Sequence, residues 1–183
     1  MKQIYYTERL ALSVINKDDS ELVLDYYVRN RDFLQEWEPV RSSDFYTLEY
    51  HARQLEKDSD GIENGTLLRF WIFKKDDKGK VIGTVAFNNI VRGAFQSCHL
   101  GYKLDKDEIN KGLMAEALKK GIEIAFEEYK LHRIEANIRP KNKASLRVVE
   151  KLGFYNEGLA YKYLKINGNW EDHIHMVLLN EKI

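Results

Sequence analysis

Cysteine and proline are scarce in this sequence, and their scarcity excludes several kinds of protein. Cys98 is the only cysteine among 183 residues, so an internal disulfide cannot form, and the usual spacings of a zinc site are absent. We therefore expect a reducing environment, and hence a cytoplasmic protein. The two prolines, Pro39 and Pro140, do not lie in a linker rich in Pro, Gly or Ser, and no internal repeat is present. The sequence predicts one domain over residues 1–183.

An excess of either charge and a long apolar run are also absent. Lys plus Arg and Asp plus Glu number 29 each, so the formal net charge is zero and gives no support for a nucleic-acid partner. No stretch approaches the roughly 18 apolar residues of a membrane helix, and residues 1–9 lack the features of a targeting segment. The 44% of hydrophobic residues suffices for a core. We expect a monomer or homodimer that contacts neither a membrane nor nucleic acid directly.

Hydrophobic periodicity predicts a mixed α/β (α+β) fold with a largely antiparallel sheet of about seven strands and about four helices. The predicted strands cover residues 9–15, 67–74, 81–90, 97–104, 133–138, 154–166 and 171–179. The predicted helices run from 20 to near 30, from 44 to about 57, from 113 to 126 and from 144 to 152. Residues 58–65 have the composition of a turn.

Glycine is sparse where a nucleotide-binding loop would need it. Between the strand 97–104 and the helix that begins near residue 113, only Gly112 is present, so the P-loop and dinucleotide fingerprints are absent. A helix start still offers unpaired backbone N–H groups and the positive end of the helix dipole, which favour an anion. Gly112 allows the backbone to approach a phosphate closely. The residues alone leave two readings open, an anion site and an ordinary strand-to-helix turn.

A second segment, residues 142–154, has the pattern of a short capped helix. Asn142 is a candidate cap, Ser145 lies in the first turn, and Gly153 is suited to the end of the helix. On its own this pattern is explained as an ordinary capped amphipathic helix, without any functional role.

The two segments together resemble the GNAT superfamily of N-acetyltransferases, and in particular its RimJ/RimL branch. Gly101-Tyr102, the loop Lys111-Gly112-Leu113-Met114 and Glu116-Ala117 resemble the superfamily's acetyl-coenzyme A signature. Residues 142–154 resemble its N-x-x-S/A … E-K-L-G-F ending, and residues 7–10, 30–34, 37–39 and 164–173 resemble other parts of the branch. Met114 fits the branch, whereas Ile109 and Asn110 depart from the loop pattern Q/R-x-x-G-x-G/A.

The resemblance implies a GNAT-like fold and acetyl-coenzyme A as cosubstrate. It implies the following cofactor-binding residues: Leu100, Tyr102, Leu104, Asn110, Lys111, Gly112, Leu113, Met114, Ala115, Asn142 and Ser145. The spacing of the residues predicts no metal site.

Acetyl transfer to an amine needs a base, a donor for the thioester oxygen, and a proton for the leaving thiolate. The resemblance implies that strand 97–104 splays from its neighbour and that the Leu100 N–H is the oxygen's donor. It assigns the acid to Ser145, because the Tyr that many members use is replaced here by Val149.

The base is open between three alternatives. His99 occupies the position where relatives often carry Glu, and a neutral imidazole is a suitable proton acceptor near pH 7. Glu135 and water alone are the other two. Strand alternation places Cys98 on the face opposite His99, which argues against a Cys–His nucleophile pair. His173 and His175 share a face but lack a further ligand at metal spacing.

The sequence thus predicts transfer of acetyl to a primary amine, and specifically to a protein N-terminal α-amine of the ribosomal-protein type. Two alternatives remain: acetylation of a small amine, such as an antibiotic or polyamine, and a non-catalytic module that binds acetyl-coenzyme A.

Overall fold

An eight-stranded sheet forms the centre of the computed structural model, which describes residues 3–182. The strands are β1 (Ile4–Tyr6), β2 (Leu10–Ser13), β3 (Leu68–Lys74), β4 (Asp77–Val91), β5 (Ser97–Leu104), β6 (Arg133–Ile138), β7 (Tyr155–Ile166) and β8 (Asn169–Leu179). The helices are α1 (Ser20–Arg29), α2 (Arg31–Gln35), α3 (Leu48–Glu63), α4 (Leu113–Glu127) and α5 (Lys143–Lys151). Short 3-10 turns cover Lys17–Asp19, Ser43–Tyr46 and Lys106–Glu108.

The strand order is β1-β2-β3-β4-β5-β6-β8-β7, and all neighbours are antiparallel except β5 and β6. These two parallel strands pair only where Ser97–His99 lies beside Arg133–Glu135. Beyond His99, β5 pairs with β4 alone, while β6 remains paired with β8. The strands therefore part, which confirms the predicted splay and leaves one edge of residues 100–104 without a strand partner in the described chain.

Buried apolar side chains form two clusters, one on each face of the sheet. The larger cluster joins α4 and α5 to side chains such as Phe70 and Phe87. The smaller joins α1 and α3 to side chains such as Trp71 and Phe73. We call these the α4/α5 face and the α1/α3 face. Alternation along β5 sends consecutive residues to opposite faces, so this strand contributes to both.

The prediction of a largely antiparallel mixed sheet is confirmed, but the counts were too low. The additional strand is β1, which lies against β2 with Tyr5 opposite Leu12. The additional helix is α2, which follows α1 directly after Asn30. Elements of three and five residues are too short to show a hydrophobic period, so the sequence pattern could not identify them.

The second predicted helix and its following turn were also misplaced. The helix α3 runs from Leu48 to Glu63 and includes most of the stretch that reads as a turn. Asp58 is buried on α3, with its Oδ2 2.9 Å from Arg69 Nε of β3. A Cβ on Gly61 would lie 3.0 Å from Leu67 Cβ. Tertiary contacts therefore outweigh the local turn preference of this segment.

The turn after β5 is fixed by one buried carboxylate, Asp105, whose surface is 0% exposed. It accepts hydrogen bonds from the Arg29 guanidinium, from Asn30 Nδ2 at 3.2 Å and from Asp107 N at 3.0 Å. Burial alone raises the pKa of this carboxyl, but the three bonds hold the pKa below its usual range. Asp105 thus anchors the segment that leads from β5 to α4.

Replacing Asp105 by Asn is expected to destabilise the fold by about 2 kcal/mol at neutral pH, because Arg29 loses its buried partner. Since the folded pKa of Asp105 is depressed, its contribution is complete above the unfolded value of about 3.9 and is lost as the pH falls through the folded value. Urea unfolding of both proteins at pH 7 and pH 3 measures this difference. Asp60→Asn, on the exposed side of α3, is the control. If the difference in free energy of unfolding between the parent and Asp105→Asn stays constant from pH 7 to pH 3, the stabilising role of ionised Asp105 is contradicted.

Candidate active site

The loop before α4 presents backbone rather than side chains. Asn110 and Gly112 adopt positive φ angles of 61° and 76°, and Gly112 is the residue that precedes the helix. Leu113 and Met114 are buried in the core, and no side-chain bond caps α4 within the described residues. The first N–H groups of α4, including that of the half-buried Ala115, are therefore available to an anion.

An ion-pair clamp, which the sequence did not reveal, holds this loop. Glu116 Oε2 accepts from Arg9 Nε at 2.7 Å, and its Oε1 accepts from Arg9 N at 2.8 Å and Thr7 Oγ1 at 2.6 Å. Arg9 Nη1 also donates to Lys111 O at 3.0 Å. Burial alone raises the pKa of Glu116, but these bonds hold the pKa below its usual range. The clamp fixes the start of α4 and brings a cation close to Gly112.

The predicted loop residue Lys111 points back toward the preceding turn. Its Nζ donates to Asp107 O at 2.6 Å and to Glu108 Oε2 at 3.1 Å. Lys74 Nζ lies 2.7 Å from the other oxygen of Glu108. The side chain of Lys111 is thus engaged within the protein, and its backbone carbonyl is held by the clamp.

Strand β5 divides its residues between the two faces as predicted. Leu100, Tyr102 and Leu104 pack against the α4/α5 cluster, whereas His99 is exposed on the other face. Leu100 is the first residue beyond the parallel pairing with β6, so it lies at the point where the strands part. Cys98 is buried, and burial raises the pKa of its thiol to about 12. This cysteine is therefore an unreactive core residue.

Helix α5 brings its first turn to the α4/α5 face of β5. Asn142 caps the helix, since its Oδ1 accepts from Ser145 N at 3.1 Å. Ser145 Oγ lies 2.5 Å from the Tyr102 hydroxyl. Val149 is completely buried. The sequence identified Ser145 and Asn142, but it gave no sign that Tyr102 contacts the serine hydroxyl.

The two protein groups considered as base are neighbours on the α1/α3 face. His99 Nε2 lies 3.6 Å from Glu135 Oε1, and His99 Nδ1 lies 3.4 Å from Asn89 Nδ2. The same Glu135 oxygen is 3.3 Å from His175 Nδ1, and the other accepts from Arg133 at 2.9 Å. Burial alone raises the pKa of Glu135, but Arg133, Asn137 and the two imidazoles hold the pKa low. At 3.6 Å the His99 imidazole and the Glu135 carboxylate are close neighbours, but this distance is longer than that of a hydrogen bond.

The segment after α2 contacts both of the parting strands beside the opening between them. Glu38 pairs with Lys103 of β5, and the backbone oxygen of Glu36 accepts from Arg139, which follows β6. The Arg139 guanidinium lies 5.0 Å from the centre of the Trp37 ring. Asn167, at the β7–β8 turn, donates to Gln35 O at 3.1 Å. These contacts build a wall beside the opening on the α1/α3 face.

Residues 3–182 contain no candidate metal site and no candidate membrane-spanning helix. No cluster of three or more His, Cys, Asp or Glu side chains there has an arrangement suited to a metal ion. None of the helices in this range combines the length and apolar character needed to cross a bilayer.

Comparison with known proteins identifies the family. Residues 9–155 match the family described as the acetyltransferase (GNAT) domain. A probable N-acetyltransferase, YjcK of Bacillus subtilis strain 168, is 43% identical over 162 residues, 88% of this chain and 89% of the relative. The ribosomal protein uS5-alanine N-acetyltransferase of Escherichia coli K12 is 40% identical over 169 residues, which cover 92% of this chain and 86% of the relative.

A solved structure extends the likeness to three dimensions. The ribosomal-protein-S5-alanine acetyltransferase of Vibrio fischeri superposes with a TM-score of 0.93 at 37% identity, over 98% of this chain and 97% of that one. The predicted resemblance to ribosomal-protein acetyltransferases is confirmed. The chain therefore belongs to the GNAT family and is an acetyl-coenzyme A-dependent N-acetyltransferase.

Proposed function

We propose that this enzyme acetylates the N-terminal α-amine of a protein, with a ribosomal protein as its acceptor. One observation carries the proposal: β5 and β6 part immediately after His99, and the opening has a hydroxyl donor on one face and an imidazole–carboxylate pair on the other. An acyl donor and an amine can therefore meet from opposite faces of the sheet.

The residues divide the reaction between the two faces. Backbone N–H groups of residues 112–115 hold the phosphates, since they lie at a helix start with no side chain in front. The Leu100 N–H, at the point where β5 and β6 part, stabilises the oxyanion. Ser145 protonates the leaving thiolate from the α4/α5 face, and His99, which lies beside Glu135, accepts the proton of the amine from the α1/α3 face.

The relatives support a chain end as the acceptor. Two of the similar proteins are named as acetyltransferases of an alanine of a ribosomal protein, and they align over most of this chain. The segment around Trp37 lies beside the opening on the α1/α3 face, where an extended terminus could contact it. A cationic small amine such as a polyamine would be favoured by free carboxylates near His99. Glu135, the carboxylate closest to His99, is already paired with Arg133 and His175. A ribosomal acceptor implies that the enzyme acts in the cytoplasm. We also propose that residues 1–183 form a single domain.

Thiol release from acetyl-coenzyme A, measured with a panel of acceptors, tests this proposal. The panel contains peptides that begin with Ala or Ser, the same peptides with blocked N-termini, a polyamine and an aminoglycoside. We expect release with the free peptides and none above background with the blocked peptides. Faster turnover of the polyamine or the aminoglycoside would instead identify a small-amine enzyme.

Replacing His99 by Gln is expected to lower kcat by about 10²–10⁴-fold, because the proton acceptor is lost. Steady-state kinetics with an accepted peptide measure the loss. His132→Gln, an exposed histidine outside the opening, is the control and should leave kcat unchanged. A His99→Gln enzyme as fast as the parent in a single-turnover measurement would remove His99 from the mechanism.

A further inference from the structure

Tyr102 has no part in the acid–base chemistry described so far, yet it contacts the hydroxyl at its centre. Its Oη lies 2.5 Å from Ser145 Oγ and 3.2 Å from Ser145 O. We propose that Tyr102 is a positioning residue that donates its hydrogen bond to Ser145 Oγ and thereby makes Ser145 an effective acid for the leaving thiolate. This inference rests on the proposed role of Ser145.

Backbone geometry brings the two hydroxyls together from elements far apart in the sequence. Strand alternation on β5 turns Tyr102 toward the α4/α5 face, where it packs against the core. The Asn142 cap fixes the first turn of α5, and with it the position of Ser145. Both partners are therefore held by regular structure, so their contact does not depend on a mobile loop.

Either hydroxyl can donate across this contact, and the Tyr102 hydroxyl can also donate to Ser145 O at 3.2 Å. Burial raises the pKa of the Tyr102 phenol to about 12, although the bond with Ser145 lowers it, so Tyr102 keeps its proton at neutral pH. Because a phenol is a stronger acid than an aliphatic alcohol, we assign Tyr102 as the donor to Ser145 Oγ. A serine that accepts from Tyr102 keeps its own hydrogen free to point at a sulfur atom in the opening. The opposite arrangement would turn the serine hydrogen away from the opening, toward the core.

An aliphatic hydroxyl is a much weaker acid than a phenol, so Ser145 alone would be a poor proton donor. The contact with Tyr102 improves it. As the Ser145 O–H bond breaks and the S–H bond of coenzyme A forms, the Tyr102 proton moves to Ser145 Oγ. The transient charge then lies on a phenolate rather than on an alkoxide. After coenzyme A leaves, solvent returns a proton to Tyr102 and takes from His99 the proton that came from the amine, so the proton balance closes and the enzyme is restored.

A double-mutant cycle separates this role from simple packing of α5 on β5. Tyr102→Phe, Ser145→Ala and the double variant are compared by kcat and by KM for acetyl-coenzyme A, with melting temperatures as a check of folding. Tyr26→Phe is the matched control. Its hydroxyl is also buried, but it has no hydrogen-bond partner among the described residues, and it belongs to the α1/α3 cluster.

We expect Tyr102→Phe to lower kcat by at least about 10-fold with little change in KM, and to lower it by less than about 2-fold further in the Ser145→Ala background. Tyr26→Phe should leave kcat unchanged. Equal losses in both backgrounds would overturn the proposal, as would a change confined to KM or an unchanged kcat in Tyr102→Phe. The cycle needs only an acceptor that the parent uses. A parent that acetylates only small amines would refute the proposed acceptor while leaving the cycle measurable.

Discussion

Replacing Gly112 by Asp is expected to remove most of the stabilisation that acetyl-coenzyme A gives the folded protein. At a ligand concentration of 100 times Kd, the parent gains about 2.7 kcal/mol, which corresponds to a rise in Tm of about 5–11 °C for a chain of this size. A carboxylate at Gly112 would compete with the phosphates for the positive end of α4 and for Arg9, whose Nη2 lies 3.6 Å from the position of a Cβ on Gly112. We expect Gly112→Asp to bind acetyl-coenzyme A about 100-fold more weakly, a loss of ~2.8 kcal/mol. The Tm of this variant should therefore rise by only about 1 °C at the same ligand concentration.

Gly112→Asn is the matched control for this variant. Asn has nearly the shape of Asp and tolerates a positive φ better than most side chains, but it carries no charge. It should therefore retain much more of the thermal shift than Asp. Thermal melts of the three proteins, with and without acetyl-coenzyme A, give the comparison. Equal shifts in the parent and Gly112→Asp would place the phosphates elsewhere.

Replacing Ser145 by Ala should lower kcat by about 10²–10⁴-fold, the range expected for the loss of a general acid. Ala is a good helix former, and the Asn142 cap accepts from the backbone N–H at this position, so α5 should persist. Affinity for acetyl-coenzyme A, measured by the same thermal shift, should remain close to that of the parent. Steady-state kinetics with an accepted peptide measure the loss.

Two variants control for side effects of this change. Ser145→Thr keeps a hydroxyl and should retain part of the rate. Ser59→Ala removes a serine hydroxyl that donates within α3, to Leu55 O at 2.9 Å, and should have no effect on turnover. A Ser145→Ala enzyme as fast as the parent in a single-turnover measurement would remove Ser145 from the mechanism.

Much of the site could be predicted because its signals are local. Gly112 before a helical stripe, and Asn142 three residues before Ser145, are short-range patterns whose geometry follows from backbone chemistry alone. The structure places both at the expected helix starts. The family resemblance added their roles, which no local pattern could supply.

What could not be predicted depends on contacts between distant parts of the chain. Arg9 and Glu116 are 107 residues apart, and Tyr102 and Ser145 are 43 apart. Their meeting depends on strand order and register, which hydrophobic patterns do not specify. The pairing of His99 with Glu135 has the same origin, because it requires β6 to lie parallel to β5. The sequence therefore presents the two candidate bases as alternatives, whereas in the structure they lie 3.6 Å apart.

The site of acetylation on a peptide tests the account most directly. The peptide begins with Ala, carries an internal Lys, and is incubated with the enzyme and acetyl-coenzyme A before tandem mass spectrometry locates the acetyl group. We predict one acetyl group, on the α-amine, and no product from the same peptide with a blocked N-terminus. Acetylation of the lysine side chain, or turnover of small amines alone while the peptide remains unmodified, would contradict the proposed function.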